Sequence, residues 1–228
     1  GIAGMTAARS LASQGYPTHI IEKKEQLGGE AHKLYRTAQG EDVKENLAAL
    51  IQDVEGNSNI TVHCNTTLES VDGFVGNFKS TLKTDEKPFE LEYGAAVLAT
   101  GAKGLVPTEY EYGKDERIIT SLDLDKMFKT NDVDLDRVNS AVFIQCVGSR
   151  QPDRPYCSRV CCTHSIDNAI ELKERKPDMD IFILYRDIRT YGERELLYKK
   201  ARELGVIFIR YDVDKKPQVR IDNSQLFI

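Results

Sequence analysis

Four of the chain's five cysteines, Cys146, Cys157, Cys161 and Cys162, fall inside one short stretch, while Cys64 stands alone. Scattered core cysteines do not bunch like this, and four thiolates is the complement that binds zinc or an iron–sulfur cluster. Three chemistries are open to the set. Zinc sites favour closely spaced cysteine pairs in two knuckles, and a single Cys146, a long gap and a vicinal pair depart from that pattern. A dithiol redox pair favours C-x-x-C, which the stretch lacks, and neighbouring cysteines form a strained disulfide. A [4Fe–4S] cluster takes four cysteines, although this spacing is not a ferredoxin's.

A second constellation opens the chain. Gly1 and Gly4, followed by an alanine-rich segment over residues 5–14, fit the last two glycines of G-x-G-x-x-G. In that motif one glycine lets backbone approach a pyrophosphate and the last lets the helix pack closely on a sheet. The helix N-terminus then meets the anion with unpaired N–H groups. Glu22 follows eighteen residues after Gly4 at the end of a short apolar run, where an acid accepts hydrogen bonds from ribose hydroxyls. The turn Gly28-Gly29 lies close behind. Read this way, the chain starts partway through a phosphate loop and is a fragment of a longer protein. His19, His32 and His63 show no ligand-like spacing to one another or to the cysteines.

The elements that must hold these residues alternate strand and helix. Residues 5–14 and 40–55 read as helices, and 18–22 and 59–63 as strands. Three strand-like runs, 67–72, 78–83 and 89–93, predict a meander, and the apolar run 95–99 predicts the next buried strand, leading into Thr100 and Gly101. Residues 121–129 read as a short helix and 139–145 as a buried strand that delivers Cys146. A helix from about 162 to 173, a strand at 180–185, a helix at 193–204 and a strand at 206–209 complete a β-α-β-α-β frame. Its phosphate loop has been replaced by thiols. A cysteine at the carboxyl end of a parallel strand sits at the crevice where such sheets bind ligands, and Cys161 and Cys162 fall at a helix N-terminus that favours thiolates.

Length and composition bound the possibilities. The 228 residues suffice for one large or two modest α/β domains. Net charge is −5, from 31 basic and 36 acidic side chains interleaved along the chain, so no basic block points to nucleic acid or an anionic membrane. The longest apolar runs fall far short of the ~20 residues a bilayer span needs. An odd, unevenly clustered set of cysteines does not read as a secreted disulfide framework, and no signal peptide is visible, so a reducing cytoplasm is expected.

Two resemblances follow from these residues. The stretch from Gly1 to Gly104 resembles the FAD-binding half of the two-dinucleotide-domain flavoproteins, with Ala99-Thr100-Gly101 as their second flavin-contacting motif. That likeness implies an FAD site lined by Gly1, Gly4, Glu22, Lys23, Gly28, Gly29, Ala99, Thr100 and Gly101, with backbone around Thr67 and Leu68 at the adenine. More specifically, QCVGSR at 145–150, PYCSRVCC at 155–162, YRDIRTYG at 185–192 and GNF at 76–78 resemble the A subunit of heterodisulfide reductase and its relatives in anaerobes.

The second resemblance implies an α/β fold of two Rossmann-like, thioredoxin-reductase-like units: an incomplete FAD-binding unit with a β-meander over residues 1–120, and a cysteine-bearing unit over 121–228. It implies a [4Fe–4S] cluster on Cys146, Cys157, Cys161 and Cys162 in place of a nicotinamide, with Cys64 as an ordinary core residue. It implies an oxidoreductase that passes electrons between FAD and clusters, and it admits flavin-based electron bifurcation. Its partners would be other subunits of a redox complex, a hydrogenase or other electron donor among them, in an oligomeric assembly. The family's first strand, first loop glycine and C-terminal closing segment are missing here, so this fragment alone is expected to be inactive. Two other readings stand beside it: a zinc-stapled, non-redox scaffold, and a pyridine-nucleotide-dependent flavin disulfide reductase.

Overall fold

The computed structural model describes residues 1–223 and 225–228. The chain divides into two compact units, residues 1–34 with 41–103, and residues 35–40 with 104–228.

In the first unit, α1 (Ile2–Ser13) follows Gly1 and buries Met5, Ala8 and Ala12 on one face, the three-and-four spacing of an amphipathic helix. Small side chains on that face let the helix lie close to its neighbours. Its strand β1 (Thr18–Ile21) pairs in parallel with β2 (Ile60–His63), from Thr18 opposite Ile60 to Ile21 opposite His63. Between them α2 (Val43–Glu55) starts at Asp42, whose carboxylate accepts the Glu45 amide at 2.9 Å as an N-cap. Met5, Leu27, Leu47, Val54 and Ile60 close this core.

The meander forms as the alternation predicts: β3 (Thr66–Phe74), β4 (Asn77–Thr84) and β5 (Lys87–Tyr93) make one antiparallel sheet in sequence order. A bulge between Leu68 and Ser70 shifts the β3–β4 register. Asp85 and Glu86 both take positive φ, 45° and 69°, the geometry of the two-residue turn that suits strand twist.

The run 95–99 corrects the sequence reading. It is neither a strand nor buried, since Val97 and Leu98 are 63% and 86% exposed. A strand needs a ladder partner, and among the described residues β1 pairs only with β2. Apolar composition alone could not show that.

The second unit opens with α3 (Ser121–Thr130), closed by a reciprocal capping box between Thr120 and Asp123, and the single-turn α4 (Asp134–Arg137). Strand β6 (Ser140–Ile144), helix α5 (Cys161–Arg175), strand β7 (Asp180–Tyr185), helix α6 (Glu195–Glu203) and strand β8 (Ile207–Arg210) follow. The three strands form one parallel sheet, β6-β7-β8. A short antiparallel pair, β9 (Arg220–Asp222) with β10 (Gln225–Phe227), ends the chain. Phe128, Ile166, Ile170, Ile181 and Ile183 are essentially fully buried, each contributing about 1.5–3 kcal/mol by leaving water.

Residues 35–40 join this unit through side chains. Tyr35 packs on Phe128, and the Arg36 guanidinium pairs with Asp167 at 3.2 Å and with Glu171 on α5. Burial disfavours the Asp167 charge and holds its carboxyl above the usual range even with Arg36 beside it. Among the described residues, no helix is long and apolar enough to cross a membrane.

Candidate functional site: a thiol loop and a nucleotide-type cradle

The sheet of the second unit delivers Cys146. Gln145 extends β6 by one rung, its amide donating to Leu184 O at 2.9 Å, and the chain then turns sharply. Cys146 has φ +64°, a left-handed conformation that costs a side chain about 1–3 kcal/mol and that persists only where its surroundings impose it. Arg150 and Arg159 are also left-handed, at φ +56° and +63°. Gly148 is also left-handed, at φ +60°, a conformation strained for a side chain, and a Cβ there would lie 2.2 Å from Leu105 Cδ2, which would have to shift. The polar stretch folds back on itself, the Arg150 amide donating to Tyr156 O and the Arg154 guanidinium to Gly148 O. This fold-back returns the chain to α5, whose first two residues are Cys161 and Cys162.

Three of the four sulfurs influence one another. The Cys161 thiol is pulled down to about 6: the Cys162 thiol hydrogen-bonds it, and Ser158 and the first amides of α5 add to the effect against burial. Cys162 is driven the other way, because it is the donor in that pair and is 4% exposed. Its single proton can also reach Asp187 O, 3.7 Å away. Burial pushes the Cys146 thiol up, opposed by Arg150, whose Nη1 lies 3.9 Å from its sulfur. Cys157 stands further along the loop, where its sulfur accepts the Arg159 amide at 3.3 Å.

Asp187 ties the loop after β7 to this cluster, with Oδ2 2.6 Å from Arg150 Nη2. Beside Cys146 lies a cavity of about 70 Å³, lined also by Tyr110, Arg186 and Tyr211. The Tyr211 hydroxyl donates to Gln145 O at 2.7 Å, and burial pushes its pKa up to about 12.

The structure brings Cys146, Cys161 and Cys162 near one another, and the one contact of the Cys157 sulfur among the described residues is with the Arg159 amide. Among the described residues, no group of three or more His, Cys, Asp or Glu side chains is arranged to hold a metal ion. The donor types are those an iron–sulfur cluster takes, soft sulfurs with the Arg150 guanidinium beside one of them. The Thr163 hydroxyl, in the first turn of α5 next to Cys162, is the one buried side-chain oxygen or nitrogen among the described residues that lacks a hydrogen-bond partner.

In the first unit, residues far apart in sequence meet at the N-terminus of α1. The Gly1 backbone nitrogen is 3.5 Å from Glu22 Oε2. A Cβ on Gly29 would come within 3.1 Å of Gly1 Cα, and one on Gly4 would touch Ala99 Cβ at 3.5 Å. Gly28 has φ +113° and is covered by the His32 ring. Glu22 also accepts the Lys24 amide at 3.0 Å. Gly1, Gly4, Glu22, Gly29 and Ala99 are therefore neighbours, a cradle closed by glycines where side chains would intrude. Lys23, Leu68, Thr100 and Gly101 are exposed on strand ends and on the irregular segment, and no contact draws them into that group. Cys64 lies between β2 and β3, half-buried, with its thiol held above the usual range by burial.

Sequence reasoning missed Asp187, Tyr110, Tyr211 and Thr163. Asp187 lies inside YRDIRTYG, but nothing in a string of alternating charges marks which one meets a cysteine. His19 and His63, without ligand-like spacing, stack at 5.3 Å with Nδ1 and Nε2 3.0 Å apart, because β1 and β2 are paired.

The family model described as pyridine nucleotide-disulphide oxidoreductase matches residues 1–144, ending just before Cys146. The A subunit of the H(2):CoB-CoM heterodisulfide,ferredoxin reductase of Methanothermobacter marburgensis is 27% identical over 99% of this chain and 48% of its own. The iron-sulfur A subunit of the CoB–CoM heterodisulfide reductase of Methanocaldococcus jannaschii is 27% identical over 92% of this chain and 46% of its own. The chain thus spans less than half the length of these relatives. Among solved structures, the HOCl-induced flavoprotein disulfide reductase RclA of Escherichia coli matches with a TM-score of 0.52 at 14% identity, over 99% of this chain and 50% of that one, a likeness of α/β fold.

Proposed function

The chain belongs to the pyridine nucleotide-disulphide oxidoreductase family, and from that membership we propose that it is the core of a flavin- and iron–sulfur-dependent electron-transfer subunit of the heterodisulfide reductase type. The sequence alone puts FAD on residues 1–120 and a [4Fe–4S] cluster on residues 121–228; with the observed division, residues 1–34 with 41–103 would serve FAD and residues 35–40 with 104–228 the cluster. When bound, FAD supplies two-electron chemistry and the cluster one-electron chemistry.

The chain's own part is to bind and to bias. Gly1, Gly4, Gly28 and Gly29 keep side chains out of the way of a pyrophosphate, and the amides of α1 face it. Glu22, with Lys23 beside it, accepts from a ribose, Leu68 borders the adenine, and Ala99, Thr100 and Gly101 let the backbone run along the flavin. Cys146, Cys157, Cys161 and Cys162 hold the cluster, with Arg150 favouring its more negative, reduced form. Partners are then the other subunits of such a complex, an electron donor such as a hydrogenase among them, in a reducing cytoplasm. Whether two electrons are split between unequal acceptors depends on those subunits.

The observation that carries this reading is the position of the cysteines: Cys146 directly follows the last rung of β6, and Cys161 and Cys162 open α5, at the edge of a parallel sheet where the doubly wound fold places a phosphate loop. Full-length protein prepared without air tests it. Bound flavin together with an EPR signal on reduction supports the reading. One zinc per chain without flavin would establish a scaffold instead, and tight NADPH binding without iron would establish a pyridine-nucleotide reductase.

A further inference from the structure

We propose that Asp187 is a positioning residue for the thiol loop: it holds the Arg150 guanidinium against the Cys146 sulfur and so sets the reduction potential of the centre the cysteines carry. The inference rests on the iron–sulfur reading above. Arg150 is 17% exposed, and its two terminal nitrogens divide between two partners, Nη2 on Asp187 Oδ2 at 2.6 Å and Nη1 toward Cys146 Sγ at 3.9 Å. A planar guanidinium fixed at one end cannot turn away at the other. The grip is reinforced from the same short loop. Arg186 donates to Arg150 O at 2.8 Å, Arg189 lies 3.9 Å from the Asp187 carboxylate, and the Asp187 carbonyl faces the Cys162 thiol. One residue therefore addresses two of the four sulfurs, one through its side chain and one through its backbone. Groups of this kind, outside the ligands, commonly orient them and tune the centre.

The sign of the effect separates positioning from bulk charge. Removing a carboxylate near a centre that becomes more negative on reduction raises the potential by Coulomb's law alone. Releasing Arg150 from the sulfur lowers it. In anaerobically prepared full-length protein, followed by redox titration with EPR detection, Asp187→Asn is expected to shift the cluster potential downward with iron content unchanged. Asp187→Glu should return toward the wild type, and Arg150→Gln should fall at least as far as Asp187→Asn. Adding Asp187→Asn to Arg150→Gln should give no further fall, the coupling a double-mutant cycle reads. An unchanged or raised potential in Asp187→Asn, or additive falls in the double variant, would overturn the proposal. If Asp187→Asn loses its iron, Arg150→Gln decides: wild-type potential at full iron content overturns it equally. A wild-type protein without iron would instead bring down the iron–sulfur reading beneath it, which iron analysis of that sample alone reveals.

Discussion

Single residues in this chain are tuned by what packs on them more than by their own type. His63 illustrates it outside the thiol loop. Burial, and His19 beside it, lower its pKa from the ordinary 6.5. As pH falls through that value the unfolded chain gains a proton that the native imidazole resists, so folding stability declines with falling pH across the window below 6.5. Urea unfolding followed across this range should show that loss, and His63→Gln should flatten it; a wild-type curve independent of pH below 6.5 would contradict the assignment. The same logic divides Cys161 from Cys162, adjacent in sequence and opposite in acidity because one accepts where the other donates. The sequence announced the cysteines, through type and spacing. It could not announce Asp187, because which acid meets Arg150 depends on the register of β6 against β7, a property of the sheet.

At the scale of elements, periodicity carried most of the reading. The amphipathic spacing of α1 and α2, the two-residue alternation of β3, β4 and β5, and the apolar strands flanking the thiol loop all form close to where the pattern predicts. What failed, residues 95–99, failed for a physical reason: an apolar run becomes a strand only if an edge receives it, and composition says nothing about edges. The cradle was legible because glycine spacing encodes close approach, although the contact of Gly4 with Ala99 depends on where that irregular segment runs. Helix α3 is held to the second unit by Phe128, which is 1% exposed and packs on Tyr35 and the Arg175 guanidinium. Phe128→Ala should cost about 3–5 kcal/mol, read as a lower urea midpoint. A loss within about 0.5 kcal/mol, the range of surface substitutions, would mean that the element is not anchored there.

The whole molecule combines two α/β units, each with its own core, in a chain that carries a net charge of −5 and spans less than half of its relatives' length. One unit offers glycines, an acid and a helix N-terminus. The other offers thiols where a phosphate loop would stand. Neither set alone distinguishes an electron-transfer subunit from a structural relative of one, and iron on the loop is what would. Iron and acid-labile sulfide should therefore be counted per chain in anaerobically prepared full-length protein and in five single Cys→Ser variants. The account predicts the wild-type counts in Cys64→Ser, and about four fewer of each per chain in Cys146→Ser, Cys157→Ser, Cys161→Ser and Cys162→Ser. Full iron after removal of any two of those four in turn, or zinc in place of iron throughout, would contradict it.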